Sequence, residues 1–141
     1  MYQVYPMIAK FFTIEEANRL IPELRKIINL LRNKKNKADF IEYEISLLHL
    51  SKELKIEFQE QKEICKKKRE LNDIVIELNK IIKKIHDFGC FLQDVDEGII
   101  DFLSEKDGRP IFLSWKPDED EISYYHEIDN GFNERKYFWF E

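Results

Sequence analysis

A chain of 141 residues, 43% hydrophobic and 36% charged, has the length and apolar content of one folded domain, which excludes a disordered chain. Its net charge of −5 is uneven: residues 1–88 carry 18 Lys+Arg against 14 Asp+Glu, and residues 89–141 carry 5 against 14, so the halves stand at +4 and −9. The acidic half repels phosphate backbones, so nucleic acid is not expected as a partner; a cation, a divalent metal or a basic partner suits it better.

No apolar run approaches the roughly 18 residues of a membrane span, and no basic-then-apolar leader follows Met1. Cys65 and Cys90 lack CxxC spacing, so free thiols and a cytoplasmic setting are expected.

Taken in order, residues 2–12 (YQVYPMIAKFF) read as an extended arm on the core, broken by Pro6. Thr13-Ile14-Glu15-Glu16 is a capping box that opens a helix. Ala17, Leu20, Ile21, Leu24, Ile27, Ile28 and Leu31 give it one apolar stripe. Pro22 inside that stripe cannot donate to the Asn18 carbonyl, so a kink or a restart is expected there. The polar run 33–37 (NKKNK) reads as a break, after which Phe40, Tyr43, Leu47, Leu50 or Leu48, Leu54 and Phe58 predict a second helix. Ile64, Leu71, Ile74, Leu78, Ile82 and Ile85 continue the pattern to Gly89, a glycine placed to end a helix. Lys66-Lys67-Lys68-Arg69 has no aromatic neighbour and reads as a solvated face, and His49 and His86 as ordinary surface or half-buried residues.

Beyond Gly89 the period drops from about 3.6 to about 2. Strands are expected at 90–93, 99–103, 110–116 and 121–128, joined by turns that include Asp107-Gly108 and Pro117–Asp120. The result is an α+β fold, a single domain over 1–141. A long kinked helical hairpin or three helices over 1–88 pack on an antiparallel meander of about four strands over 89–141. Pairing Lys116 with Glu121 puts Ile111 opposite His126, on one face with Leu113, Trp115, Ile122 and Tyr124. A histidine on an apolar face ordinarily hydrogen-bonds a carbonyl or carboxylate; the alternative is a metal ligand or general base, with Asp101, Glu119 or Glu127 as partner. Arg109, beside Asp107, can bind its own loop or a ligand anion. Strong catalytic or nucleotide-binding motifs are absent from the sequence.

Phe11, Thr13, Glu15 to Asn18 and Leu20 to Arg25, together with Gly89-Cys90, Gly98-Ile99, Asp101-Phe102, Asp107-Gly108-Arg109, Leu113, Trp115, Glu119, Ile122, His126-Glu127, Gly131-Phe132 and Arg135, resemble a family of small uncharacterised prokaryotic proteins, a domain of unknown function. The resemblance covers both ends of the chain and implies no activity. Ser114, Asp118 and Tyr125 stand where that pattern usually has Cys, Gly and Trp. It marks Asp101, Asp107, Arg109, Trp115, Glu119, His126 and Arg135 only as pattern positions; the residue chemistry makes Asp101, Asp107, Arg109, Trp115 and Arg135 candidate ligand-binding residues, and His126, Glu119 and Asp101 a candidate metal set. The function expected is a small ligand- or metal-binding protein with a polar site in the C-terminal sheet. The alternative is a structural or interaction protein that forms a homo-oligomer or docks a partner through its helices and aromatic tail, Tyr137 to Phe140.

Overall fold

The computed structural model describes residues 10–52 and 58–138. Most of the expected arm, Leu54, and the tail residues Trp139 and Phe140 lie outside them. Two long helices, α1 (Ile14–Lys52) and α2 (Phe58–Asp87), are followed by strands β1 (Phe91–Asp94), β2 (Ile99–Lys106), β3 (Arg109–Trp115), β4 (Tyr124–Glu127) and β5 (Lys136–Tyr137). The strands form one antiparallel sheet in the order β1-β2-β3-β4-β5. The fold is α+β. Among the described residues no helix is long and apolar enough to cross a membrane.

The capping box forms as the sequence predicts. The Thr13 backbone N–H donates to Glu16 Oε1 at 3.0 Å, and the Glu16 N–H donates to Thr13 Oγ1 at 3.1 Å. The same bonds hold the Glu16 carboxyl below its ordinary range. At the other end, α2 stops where Gly89 adopts φ 93°, and its N–H returns to the His86 carbonyl at 2.9 Å. A Cβ at Gly89 would stand 2.8 Å from that of Lys10, so glycine is needed twice over there.

Three helical expectations need correction. The NKKNK run does not break the helix. It lacks glycine and proline, Lys34 reaches Glu77 on α2 at 2.5 Å, Lys35 pairs with Asp39 one turn on at 2.6 Å, and Ala38 carries the buried seam forward. The polar run is one solvated face of a single α1, which also continues through Pro22 rather than restarting. The stripe Phe40, Tyr43, Leu47 and Leu50 is not core: these residues are 60%, 59%, 45% and 65% exposed, while Ile41 and Ile45 are buried instead.

Sheet and helices share one core. Ala17, Ile21, Leu24, Ile28 and Leu31 of α1 and Leu78, Ile82 and Ile85 of α2 cluster with Ile100, Phe102, Ile111, Leu113, Trp115 and Tyr125 from the sheet. Burying a side chain of this size stabilises by roughly 1.5–3 kcal/mol. The β2–β3 hairpin turns on Asp107-Gly108, with φ 53° and 77°, the pair of positive values that a two-residue hairpin turn requires. β5 was missed by the sequence reading because it is only two residues long.

The β3–β4 register differs from the expected one by a single residue. His126 pairs with Phe112, Tyr125 with Leu113 and Tyr124 with Ser114. A one-residue shift exchanges faces. Tyr125 therefore enters the helix-side core, and His126 moves to the opposite face with Asp101, Phe112 and Ser114. The cause lies in α1. Asn18 Oδ1 accepts the Ile122 N–H at 2.7 Å. Arg25 donates to the Pro117 carbonyl and, at 3.0 Å, to that of Glu119. The helix thus holds the connection as an irregular loop where a tight hairpin had been expected.

Candidate functional site

The face of the sheet turned away from the helices carries buried polar groups. Asp101 and His126 are each only 3% exposed, and Ser114 is fully buried. β2 positions Asp101 opposite Ser114, and β4 positions His126 opposite Phe112, so the carboxylate and imidazole meet diagonally across β3. His126 Nε2 lies 2.9 Å from Asp101 Oδ2, and Nδ1 lies 2.9 Å from the Glu127 carbonyl oxygen. A carbonyl can only accept, so Nδ1 carries hydrogen. The proton at Nε2 is then shared with Asp101. Burial is the largest single influence on the His126 pKa and lowers it, but the bonds to Asp101 and to backbone carbonyls outweigh burial and leave the pKa raised above 6.5.

Asp101 Oδ1 is buried without a hydrogen-bond partner, as is Ser114 Oγ. Asp101 and His126 line a cavity of about 340 Å³, closed by Phe112, Ile99 and, from the loop after β4, Ile128, Asn130, Gly131 and Phe132; Gln93 and Asp94 complete its rim. Phe112 is held edge-on by Phe91, with ring centroids 5.5 Å apart. An acceptor left unpaired in such a place costs about 1–3 kcal/mol.

The remaining candidates sit elsewhere. Glu119 does not join Asp101 and His126. Its carboxylate binds Arg135 in a two-point pair (3.0 and 2.9 Å) and accepts the Lys116 N–H at 3.1 Å. Among the described residues no three His, Cys, Asp or Glu side chains are grouped to hold a metal ion. Both ring nitrogens of His126 already face protein acceptors. The expected His126–Glu119–Asp101 metal set is therefore divided, because the loop that carries Glu119 is clamped to α1 and Arg135. Trp115 is fully buried in the core and donates Nε1–H to the Glu119 carbonyl at 2.9 Å. Arg109 lies on the helix-side face, where its guanidinium grips Glu127 at 2.6 Å and reaches Asp107 at 3.7 Å. Asp107, Arg109 and Trp115 thus stand apart from the cavity.

Arg135 acts on the cavity at one remove. Its guanidinium carbon lies 3.9 Å from the centre of the Phe132 ring, which lines the cavity, and 4.4 Å from that of Tyr124. The Glu119–Arg135 pair therefore ties the loop that covers the cavity to the loop that α1 holds. His86 also departs from expectation. It is 5% exposed, and its Nε2 accepts the Leu92 N–H at 3.3 Å, with burial lowering its pKa. Sequence reasoning missed Phe112, Gln93, Asp94, Ile128 and Asn130. Ile99 and Gly131-Phe132 carried a signal only as part of the family pattern.

The profile of a family described as "Uncharacterized conserved protein (DUF2203)" matches residues 10–138. The chain belongs to this family. The DUF2203 match spans both the helix that clamps the β3–β4 loop and the sheet that holds Asp101 and His126. Comparison with curated proteins and with solved structures gave no match.

Proposed function

We propose that this chain is a ligand-binding module whose ligand enters the cavity over the Asp101–His126 pair. One observation carries the reading: the buried Asp101–His126 pair lines a cavity that side chains of the sheet and the β4–β5 connection shape around it. At about 340 Å³ the cavity falls at the lower end of the roughly 300–1,000 Å³ typical of small-molecule sites. His126 fixes the Asp101 carboxylate through Oδ2 and so holds the pair in one arrangement at the cavity wall. A divalent metal is the less favoured occupant, since no third ligating side chain among the described residues joins the pair. The test is a screen of small polar aromatic compounds by backbone-amide NMR. Saturable shifts at Asn130, Gly131 and Phe132 support the reading, and shifts scattered over the helices contradict it.

A second reading, self-association, rests on the exposed stripe Phe40, Tyr43, Leu47 and Leu50, whose 3-4-3 spacing matches a coiled-coil seam. Light scattering of wild type and of Leu50→Glu decides it, since a monomeric wild type removes the reading. The free cysteines Cys65 and Cys90 agree with a cytoplasmic setting. The basic run agrees with a solvated role, because Lys67 already pairs with Glu44 at 3.1 Å.

A further inference from the structure

Resting on that reading, we infer that the ligand of the cavity is a neutral, flat molecule whose edge carries both a hydrogen-bond donor and an acceptor, as a carboxamide, a lactam or an amino-azine does. The polar groups available set this class. Gln93 and Asn130 both line the cavity, and each ends in a primary amide, which presents N–H donors and a carbonyl acceptor side by side. Among the described residues neither side-chain amide is hydrogen-bonded within the protein. Neighbours in a regular strand point to opposite faces, yet Gln93 and Asp94 both line the cavity. The cause is a bulge. β1 pairs Leu92 with Ile100 and Asp94 with Ile99, so Gln93 is an extra residue in the ladder. Bulges re-aim a side chain in this way.

The walls argue for a flat and uncharged body. Phe112 comes from the sheet and Phe132 from the loop that covers it, so aromatic surface stands on two sides, and Ile99 and Ile128 add aliphatic surface. A planar ring stacks there more fully than a saturated one. A full charge finds little to pair with. Among the described residues lysine and arginine are absent from the lining, and the ring nitrogens of His126 are turned to Asp101 Oδ2 and the Glu127 carbonyl. The Asp101 carboxylate is in turn bonded to His126. Asp94 is an exposed carboxylate on the rim, and its Oδ1 accepts the Glu97 N–H at 3.0 Å. Such a solvated charge offsets little of the hydration that an ion loses between these apolar walls. A neutral amide edge loses less water and regains paired bonds at Gln93 or Asn130.

Five matched probes separate these cases: benzamide, acetophenone, cyclohexanecarboxamide, benzoate and benzylamine, each titrated at millimolar concentration while the backbone amides of Asn130, Gly131 and Phe132 are followed by NMR. Benzamide should bind tightest. Acetophenone keeps the ring and the carbonyl but has no N–H, cyclohexanecarboxamide keeps the amide but is not flat, and the last two carry a charge. In Gln93→Ala/Asn130→Ala the benzamide affinity should fall roughly three- to tenfold, the worth of one neutral hydrogen bond. The ranking of the five probes on wild type stands whether or not that variant folds. Any of the other four binding as tightly as benzamide, or benzamide indifferent to the double substitution in a folded variant, overturns the ligand class while leaving a ligand cavity in place. Absence of saturable shifts from all five probes overturns the cavity reading as well.

Discussion

Asn18 offers the sharpest test of how the site is set. Its Oδ1 is the acceptor for the Ile122 N–H at 2.7 Å, and Ile122 is only 1% exposed. Asn18→Ala leaves that N–H buried without a partner, which costs about 1–3 kcal/mol, and the short, well-made bond argues for about 2 kcal/mol. Asn18→Asp keeps an acceptor at the same place and lies near the helix N-terminus, where a negative charge is favoured, so its cost should stay under about 0.5 kcal/mol. The assay is urea unfolding followed by the fluorescence of buried Trp115, with the slope of the transition unchanged between variants. Because the bond governs the course of the loop into β4, Asn18→Ala should also shift the amide signals of Tyr124 to Glu127, while Asn18→Asp leaves them in place. The reasoning is refuted if Asn18→Ala unfolds with the wild-type midpoint, or if the two variants lose stability equally.

Two further outcomes are expected. In a double-mutant cycle, Glu119→Ala and Arg135→Ala should show a coupling of about 1–2 kcal/mol, above the usual surface ion pair, because both side chains are largely buried (15% and 13% exposed) and meet in two-point geometry; additive losses would remove the proposed tie between the two loops. Cys65 should react with a thiol reagent in the folded protein and Cys90 only on unfolding, since Cys65 is exposed whereas burial pushes the Cys90 thiol up to about 12. Equal labelling rates in the folded protein would contradict that burial.

Much of the fold was open to sequence reading. The capping box, the apolar stripe from Ala17 to Leu31, the glycine stop after α2 and the Asp107-Gly108 hairpin are local devices, and each forms where its residues stand. The errors share another origin. The NKKNK run is held helical by Glu77 of the neighbouring helix and by Ala38 in the seam, neither of which is visible in a local window. The β3–β4 register is set by Asn18 and Arg25, about a hundred residues away in sequence. A tight hairpin was the natural reading of Pro117–Asp120, and it placed His126 on the wrong face.

The candidate site shows the same division. The pairing of Asp101 with His126 was among the alternatives that the residues themselves suggested, and the structure brings the two to 2.9 Å. Glu119 and Arg135, marked by family resemblance, turned out to be partners of each other rather than of His126. The cavity walls were not readable, because Phe112 and Ile128 differ in no way from core residues until the sheet and the loop after β4 have folded around them.

The central claim is that His126 and Asp101 form one buried, hydrogen-bonded pair at the wall of the cavity. Its most direct test is an NMR titration of the His126 ring nitrogens in wild type and in Asp101→Asn. With a folded pKa above the ordinary 6.5, the histidine contributes stability that is complete below pH 6.5 and is lost as pH rises through the higher folded value. The account predicts a wild-type midpoint above 6.5, both ring nitrogens protonated below it, and a lower midpoint in Asp101→Asn, where burial is no longer opposed by the carboxylate. A wild-type midpoint at or below 6.5, or one that ignores the loss of the Asp101 charge, would contradict it.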